Sequence, residues 1–402
     1  MKHLELHIIQ SVPVACLNRD DLNSPKTAVF GGVQRARVSS QSWKRAIRDM
    51  AKEESPALFS GNRSRRMVHE LSTRLESKGV LKDIAVIVAQ QVASIVETLD
   101  SKTDADGYRK IKTLMFFSDA EYEAIANAVT NDIKLLAEKV KDSSKAVENA
   151  EEALMKIDDD KKKEVAKKEL EKLEKEQEKG HKALLKAFGA KPIKDAIKSV
   201  QLKDAADIAL FGRMVANDHS LTVEAASMFS HALSTHKADN EIDFFAAVDD
   251  LQPKEESGAG MTSTLEFNSA TYYRFAALNL DMLTDKDHLA SMTRVERQDV
   301  VRTFLEAIIK AIPGARQNTM NGSTLPVYVL GVVREKGHPV QLVNAFENPV
   351  RSSQGYAAKS VELLESEYEK LDGTWKIKAV FKEAIPKIDM KSFLDGMVQH
   401  VI

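Results

Sequence analysis

The sequence predicts an α+β protein in which a helical domain is inserted into a sheet-forming domain. Strand-like apolar patterns occur near the N-terminus and return after about residue 264, whereas the sequence from about Arg63 to Lys198 is rich in Ala, Lys and Glu and has a helical pattern. At 402 residues the chain exceeds the usual size of one domain. We therefore expect a principal domain with a large insertion.

The first elements are predicted to be a strand, a loop and a helix. Three apolar residues near the N-terminus alternate with polar ones, which predicts a strand buried on one face. These residues are Leu4, Leu6 and Ile8. The segment Pro25–Arg48 predicts a loop followed by a helix that begins at Ser39 or Ser40, because serine satisfies free N–H groups at a helix start.

Residues 131–190, inside the inserted domain, predict a charged helical hairpin. Apolar and small residues recur at alternating steps of four and three between Leu136 and Ile157, which is the spacing of a coiled-coil seam. Three aspartates at 158–160 interrupt the pattern, and Leu170 and Leu173 resume it. The near-equal mixture of Lys and Glu favours a solvated surface with many salt bridges over a dedicated binding device.

The C-terminal part predicts further strands and helices. In chain order they are a strand in Thr264–Leu280, a helix in Glu296–Ile312, strands in Val327–Val333 and Val340–Phe346, and a helix in Tyr356–Leu371. The turn-rich link 334–339 suits a hairpin between the last two strands. These are the parts of a ferredoxin-like or RRM-like domain, although short apolar runs do not determine the strand order.

Composition narrows the classes of function. The formal net charge of −2 argues against a protein that coats nucleic acid with its whole surface, so any such binding is confined to a groove. A single cysteine, Cys16, excludes an internal disulfide framework. The sequence shows no signal-peptide core and no apolar run of membrane-spanning length, and we expect a soluble cytoplasmic protein without a membrane partner.

The segment Pro25–Arg48 contains six cations and no acidic residue. The cations are Lys26, Arg35, Arg37, Lys44, Arg45 and Arg48. At the helical repeat, one helix face carries Gln41, Lys44, Arg45 and Arg48, and the opposite face carries Trp43, Ala46, Ile47 and Met50. Lys44 and Arg48 lie roughly 5.4 Å apart along the axis, close to the spacing of phosphates in an extended strand. A nucleic-acid strand is therefore the predicted ligand.

Backbone groups are expected to assist this helix. The pair Gly31–Gly32 is predicted to let the backbone approach a polyanion closely, because glycine has no side chain. Ser39 and Ser40 are predicted to offer hydroxyls and unpaired N–H groups at the helix N-terminus. The aromatic motifs on which ordinary RRM domains stack bases are absent, so base stacking on the sheet is not expected.

The stretch AVFGGVQRARVSSQSWKRAIR resembles the N-terminal signature of the CasC family, the backbone subunit of the type I-E CRISPR complex Cascade. Four later segments resemble the same family in the same order: DIALFGRM at Asp207–Met214, HALSTH at His231–His236, FFAAVDDL at Phe244–Leu251 and GAGMTSTLEF at Gly258–Phe267. The resemblance covers nearly the whole chain, apart from the charged middle segment. It implies a non-catalytic protein that polymerises along a CRISPR guide RNA (crRNA) and presents it to complementary DNA.

The resemblance also implies a division into parts and a set of partners. An RRM-like palm would comprise 1–60 and 264–402, a helical fingers domain 61–236, and a thumb hairpin 237–263. The tip of the thumb, Gln252–Gly260, has the composition of a mobile loop ordered by a partner. The implied partners are crRNA, target DNA, other copies of the chain in a helical array and other Cascade subunits.

The site residues follow residue by residue from the resemblance and from the cationic helix. The predicted RNA-binding residues are Lys26, Ser39, Ser40, Gln41, Lys44, Arg45, Arg48 and Met214. Met214 would be an apolar wedge against RNA, with core packing as the alternative.

The candidate DNA contacts are Lys182, Lys186, Lys191 and Lys194, close to Lys179 and Lys198. An ordinary exposed helix face is an equal alternative for these lysines. The loop Gly314–Thr319 is a further candidate for a nucleic-acid contact, and a plain helix-to-strand connection is at least an equal alternative.

No catalytic residue, metal site or cofactor is predicted. His231 and His236 lack a Cys or carboxylate partner at recognised metal spacing and are predicted to be structural. The alternative function is a metal-dependent ribonuclease acting on guide RNA through Asp249, Asp250 or Glu256, because paired acids can hold a metal for phosphodiester cleavage. A general single-stranded RNA-binding protein is a third possibility.

Overall fold

This computed structural model describes residues 1–130, 146–147, 149–150, 154, 164–173, 175, 190–215, 217–247, 250 and 261–402. The chain divides into a first unit, Met1–Phe59 with Ala225–Ile402, and a second unit, Ser60–Glu224. Most of the predicted charged hairpin 131–190 lies outside the described residues, as does the predicted thumb tip.

The strands are β1 (His3–Ala15), β2 (Thr27–Phe30), β3 (Val33–Val38), β4 (Asn62–Ser64), β5 (Leu99–Thr103), β6 (Arg109–Ile111), β7 (Met115–Phe117), β8 (Ser227–Phe229), β9 (Ala232–Ser234), β10 (Glu241–Ala247), β11 (Met261–Asn279), β12 (Tyr328–Arg334) and β13 (Phe381–Ile385). The helices are α1 (Ser40–Glu54), α2 (Met67–Ser77), α3 (Lys82–Val96), α4 (Ala190–Ser199), α5 (Ala206–Phe211), α6 (Arg294–Lys310), α7 (Ala357–Trp375) and α8 (Met390–Val398). Residues 119–130 and 164–173 are also helical. Among the described residues, no helix is both long and apolar enough to cross a membrane.

An antiparallel sheet forms the centre of the first unit. Its strand order is β13–β12–β1–β11–β9–β3–β2, and β8 and β10 also pair with β11. Helix α7 packs on one face, where it shares a core with Ile9 and Tyr273. Helices α1 and α6 lie on the other face, where Ile8 meets Trp43 and Ile308. The mixed α and β composition with a large sheet agrees with the predicted fold class at this level.

Strand β1 is buried on both faces, so the prediction that only one face is buried was wrong. Its polar residues are buried because they pair with one another and with neighbouring strands. Arg334 Nε donates a hydrogen bond to Glu5 Oε1 at 2.8 Å, and His7 Nδ1 lies 3.0 Å from the hydroxyl of Tyr273. The backbone N–H of Leu342 donates to that hydroxyl at 2.9 Å. The polar residues that alternate with apolar ones in β1 therefore belong to a buried hydrogen-bond network.

The segment before α1 is a β-hairpin, whereas the sequence predicted a loop. Strands β2 and β3 pair from Thr27↔Ala36 to Phe30↔Val33, and Gly31 and Gly32 form the two-residue turn. Both glycines have positive φ, 60° and 74°, which is the region that a tight hairpin turn of this length requires.

In the C-terminal part, the predictions for β11, α6, β12 and α7 are confirmed, with shifts of a few residues at their ends. The predicted strand Val340–Phe346 was wrong, because this run contains a 3₁₀ turn at Val343–Phe346. Leu342 and Phe346 are apolar because they fill the core beneath α7. The antiparallel neighbour of β12 is instead β13, which follows α7 in the chain and which the sequence analysis missed together with α8.

The second unit contains helices and short strands, whereas the sequence predicted helices alone. Strand β4 pairs with β7, and β5 pairs with β6. Such short strands lack a periodic pattern long enough to identify them. The unit ends at Glu224, before the predicted boundary at 236, because β8 and β9 pair with β11 of the first unit.

Candidate nucleic-acid interface

The N-terminus of α1 is capped by side chains from three places in the chain. Ser39 is the N-cap residue, as predicted, and its Oγ accepts a hydrogen bond from Gln41 N at 3.4 Å. Ser39 N donates to Asn18 Oδ1, and Ser40 N donates to His231 Nδ1, both at 3.0 Å. The prediction of unpaired N–H groups at Ser39 and Ser40 was therefore wrong.

The inner face of α1 is held by a tryptophan and a buried arginine. Trp43 is only 3% exposed, and the guanidinium carbon of Arg274 lies 3.8 Å from its ring centroid. Arg274 donates to Gln10 and to the carbonyl of Ile308, and burial lowers the pKa of Arg274. Trp43 and Ile47 are buried as predicted. Ala46 and Met50, also predicted for this face, are only half-buried.

The outer face of α1 presents the predicted cations, and an aspartate lies among them. The side chain of Arg45 is 81% exposed and that of Arg48 is 23% exposed. Asp49 lies 3.6 Å from Arg45 Nε and 3.8 Å from Arg48 Nη2. Lys44 Nζ lies 5.4 Å from the ring centroid of Phe229, a cation–π contact at the flank of the helix. Gln41 is exposed. The structure thus brings together the predicted face, with Asp49 partly neutralising it.

Further positive charge lies near the start of α1. Burial lowers the pKa of His231, and the charges of Arg37 and Lys26 lower it further. The imidazole is therefore neutral at pH 7 and can accept the hydrogen bond from Ser40 N. Arg37 Nε donates to the carbonyl of Thr27 at 3.1 Å. Lys26 and Arg37 consequently extend the cationic region from α1 onto the β2–β3 hairpin.

Arg35 belongs to the fold and not to the cationic surface. Its side chain is fully buried, and it donates to the carbonyls of Phe30 at 3.1 Å, Ser234 at 3.0 Å and Phe346 at 2.8 Å. Burial lowers the pKa of Arg35. This arginine therefore joins the β2–β3 hairpin to β9 and to the 3₁₀ turn after β12.

Gly31 is approached by another part of the backbone of this chain. A Cβ added at Gly31 would lie 1.7 Å from the carbonyl oxygen of Glu347. The prediction that Gly31 faces a polyanion was therefore wrong. A Cβ added at Gly32 would meet no described atom within 4 Å, so the backbone of Gly32 remains accessible.

An open groove of ≈ 590 Å³ runs beside α1. Its lining includes Arg45 and Asp49 of α1 and, from the segment before β2, Arg19, Asp20 and Asn23; Arg19 Nη1 donates to Asn23 Oδ1 at 3.1 Å. The loop at Gly314, which the sequence analysis singled out, also lines it. Arg19 was missed because it lies outside the helical repeat and no sequence pattern connects it to α1.

Met214 is presented on the surface of the second unit. Its side chain is 76% exposed, so the alternative of core packing was wrong. Gly212 ends α5 with a φ of 79°, and the next residue, Arg213, is buried. Arg213 donates to the carbonyls of Phe116 at 3.3 Å and Leu221 at 3.0 Å and to Glu121 Oε1 at 2.6 Å. These bonds anchor the segment that carries Met214.

We expect Arg213→Ala to destabilise the second unit strongly. Burial raises the pKa of Glu121 although Arg213 opposes this effect, and removal of Arg213 would leave a buried carboxylate without its cationic partner. The expected loss is roughly 3–5 kcal/mol in the free energy of unfolding. Met214→Ala is the control and should change it by less than about 0.5 kcal/mol. Urea unfolding followed by circular dichroism measures both, and equal stabilities would contradict the anchoring role.

The candidate DNA contacts are only partly described. Lys182 and Lys186 lie outside the described residues, as does Lys179. Lys191 and Lys198 are exposed on α4. Lys194, in contrast, forms an ion pair with Asp218 Oδ2 at 2.6 Å, which lowers the pKa of Asp218 to about 2. Lys194 therefore has a structural partner in the second unit, because its ammonium group pairs with the carboxylate of Asp218.

Strands β10 and β11 extend as a two-stranded ribbon from Glu241↔Phe267 to Ala247↔Met261. This ribbon occupies the predicted thumb region, and its tip, Gln252–Gly260, lies outside the described residues. Three large apolar side chains on it are exposed, namely Ile242, Phe244 and Met261. Exposed apolar groups of this size on one ribbon are typical of a surface that meets a partner.

The described residues contain no group of three or more His, Cys, Asp or Glu side chains that could hold a metal ion. His236 is buried, stacks on Tyr356 at a centroid distance of 3.8 Å, and accepts a hydrogen bond from Thr271 N at 3.1 Å. It is a structural residue, as predicted. Asp249 and Glu256 of the ribonuclease alternative lie outside the described residues.

Two kinds of comparison place the chain among known proteins. A family model described as CT1975-like protein matches residues 4–393. A solved structure titled "CRISPR RNA-guided surveillance complex, pre-nicking" is 27% identical over 100% of both chains, with a TM-score of 0.75. A second, titled "CRISPR RNA-guided surveillance complex", is 25% identical over 99% of both chains, with a TM-score of 0.68. No curated protein matches the sequence significantly.

The matches agree with one another and with the sequence. They confirm the resemblance to the CasC family of CRISPR proteins, which rested on motifs distributed from Ala28 to Phe267. The family match is nearly as long as the chain, and the structural matches extend over both units. The protein therefore belongs to the CT1975-like protein family.

Proposed function

We propose that the protein is a non-catalytic backbone subunit of a type I-E CRISPR surveillance complex, Cascade, acting in antiviral defence in the cytoplasm. In this role it polymerises along crRNA and presents the guide for pairing with target DNA. The observation that carries the proposal is the outer face of α1, where Gln41, Lys44, Arg45 and Arg48 lie together on a helix fixed to the sheet by Trp43. Family membership supports the same role.

The chemistry of this face suits phosphates better than bases. Ammonium and guanidinium groups bind phosphate without regard to sequence, and they position a strand without reading it. A guide RNA needs this property because its spacer can have any sequence. Specificity then comes from pairing between guide and DNA. The neighbouring groove, which Arg19 and Arg45 line, offers room for the strand to pass beside α1.

The remaining parts take roles consistent with this one. The sheet of the first unit would be the ferredoxin-like palm, and the β10–β11 ribbon would be the thumb that lies over the guide. Met214 on the second unit would be a wedge against RNA. Lys191, with Lys182 and Lys186, would make non-specific, salt-sensitive contacts with target DNA. Repetition of one chain along a directional strand requires a heterologous interface, which produces an open helical array.

The direct test is purification of the assembly with its RNA, followed by mass measurement. A repeating array on one RNA of defined length supports the proposal, whereas stoichiometric binding of any RNA without partner subunits identifies a general RNA-binding protein. A cleavage assay with divalent metal tests the ribonuclease alternative. Guide processing that disappears in Asp249→Ala would contradict the non-catalytic role.

Deletion of Gln252–Gly260 is predicted to reduce ordered assembly while the chain still folds, because this tip is proposed to cover the guide at a junction between copies. Nuclease should then cut the guide at regular intervals. The control replaces Lys139–Lys179 with a short flexible linker, which should leave assembly unchanged if the charged hairpin is an accessory extension. Unchanged array length and unchanged nuclease protection in the thumb variant would remove the thumb from the mechanism.

A further inference from the structure

The two tryptophans of the chain lie in opposite environments. Trp43 is buried beneath α1, whereas Trp375, the last residue of α7, is 72% exposed. Helices α1 and α7 pack on opposite faces of the sheet. Trp375 is therefore separate from the cationic face of α1, and the proposed guide contacts do not explain it. A large exposed indole is a typical anchor for a ligand or partner.

The residues after Trp375 form an exposed basic loop. Lys376 adopts a left-handed conformation with a φ of 53°, which ends α7, and Lys376 and Lys378 are both exposed. Within 373–382 the charged residues are all lysines, and the acids Asp372 and Glu383 flank this stretch. The N–H of Val380 donates to Val333 O at 2.8 Å, which places the loop beside the end of β12.

The charges facing this loop from β12 are mixed. The turn after β12 carries exposed Glu335 and Lys336. Glu335 is the one acid on that turn, and Lys336 balances it in formal charge. Lys382, on β13, forms an ion pair with Glu369, and its Nζ lies 4.1 Å from the ring centroid of Tyr368. Lys376 and Lys378 are the two lysines nearest to Trp375 in the sequence, and Asp372 and Glu383 lie on either side of them.

An indole flanked by lysines fits one class of ligand. Aromatic side chains stack on bases, and lysines neutralise the adjoining phosphates, which is the combination that binds single strands without sequence preference. A protein pocket fits less well, because lysine is depleted in the buried cores of protein interfaces and would lose its water there. We propose that Trp375, Lys376 and Lys378 bind single-stranded nucleic acid, with Trp375 stacked on a base.

The test uses the full-length chain with Lys44→Ala and Arg45→Ala already introduced, so that the α1 face contributes little. Unlabelled oligothymidylate and oligouridylate of about twelve nucleotides are titrated, a length within the usual range for single-strand sites. Binding should quench the tryptophan emission, because Trp375 is exposed while Trp43 is shielded. Tighter binding of the DNA oligonucleotide would identify a DNA strand as the ligand, and tighter binding of the RNA oligonucleotide would identify RNA.

Anisotropy of fluorescein-labelled oligonucleotides then measures the variants. Trp375→Ala should weaken binding by about tenfold, since the variant loses the stacking of one base on the indole. In Lys376→Ala with Lys378→Ala, the slope of log K against log salt concentration should become less negative by about 1.4. The control is Lys359→Ala with Lys370→Ala, which removes equal charge from α7 and should change neither quantity.

Absence of quenching, or unchanged affinity in both the Trp375 and the lysine variants, would overturn the proposal. So would a Trp375→Ala variant that changed only self-association in sedimentation, because the indole would then be a protein contact. The result is independent of the proposed backbone function. A chain that failed to assemble on crRNA could still show the quenching, and an assembling chain could lack it.

Discussion

Replacement of Lys44 and Arg45 by alanine is expected to weaken guide binding by roughly thirtyfold at about 0.1 M salt. Each residue is proposed to make a charge-assisted bond to phosphate, and we assign about 1 kcal/mol to each, below the usual range, because Asp49 partly neutralises this face. The loss should be similar for unrelated spacer sequences. The slope of log K against log salt concentration should become less negative by about 1.4, since two phosphate contacts are removed from a single strand. Filter binding with several guides at a series of salt concentrations measures both quantities.

Asp49→Asn is expected to have the opposite effect on guide binding. Asp49 lies within 4 Å of Arg45 and Arg48, and the amide has nearly the same shape without the charge. Guide binding should therefore become tighter and more dependent on salt. Lys359→Ala with Lys370→Ala on α7 is the matched control and should leave guide binding unchanged. A loss in the Lys44 and Arg45 variant that varied strongly with spacer sequence would contradict phosphate contact, as would weaker binding in Asp49→Asn.

Gly31→Ala is expected to destabilise the first unit by more than about 4 kcal/mol, which is exceptional for a single substitution. The new Cβ would lie 1.7 Å from the carbonyl oxygen of Glu347, so the backbone must move. That movement would also disturb Arg35, whose guanidinium bonds to Phe346 and Glu347. The left-handed φ of 60° adds strain for any residue with a side chain.

Gly32→Ala provides the matched control one residue away. Its φ of 74° carries the same kind of strain, but the added methyl would meet no described atom within 4 Å. The expected cost is therefore only about 1–2 kcal/mol. Urea unfolding followed by tryptophan emission compares the two variants, because the buried Trp43 becomes exposed to solvent on unfolding. Equal losses would show that backbone conformation, and not the contact with Glu347, explains the need for glycine at this turn.

The helix of the candidate site was predictable because its determinants are local. Ser39 caps α1, Trp43 and Ile47 face the core, and Lys44, Arg45 and Arg48 face outward, all as the helical repeat predicts. Asp49 was not included, because it lies one residue beyond the acid-free segment Pro25–Arg48. The helical repeat assigns a face but no degree of exposure, and in the structure Arg45 is far more exposed than Arg48.

The prediction for β1 failed because a two-residue alternation identifies a strand but not its neighbours. Glu5 and His7 are polar, so they appeared to face water. They are buried because Arg334 and Tyr273, far away in the sequence, complete their hydrogen bonds. The apolar run Val340–Phe346 failed for a related reason, since burial in the core requires apolar residues whether the backbone is a strand or a 3₁₀ turn.

The sequence by itself determined the family, the start of α1 at Ser39 or Ser40 and the cations on its outer face, because motifs, caps and periodicity depend on neighbouring residues. Only the tertiary structure decided which of the six cations are available. It buried Arg35 among backbone carbonyls and left Arg45 in solvent. It also supplied Asn18 and His231 as partners for the N–H groups at the start of α1. The physical reason is that burial and hydrogen-bond partners come from segments distant in sequence, which no local pattern specifies.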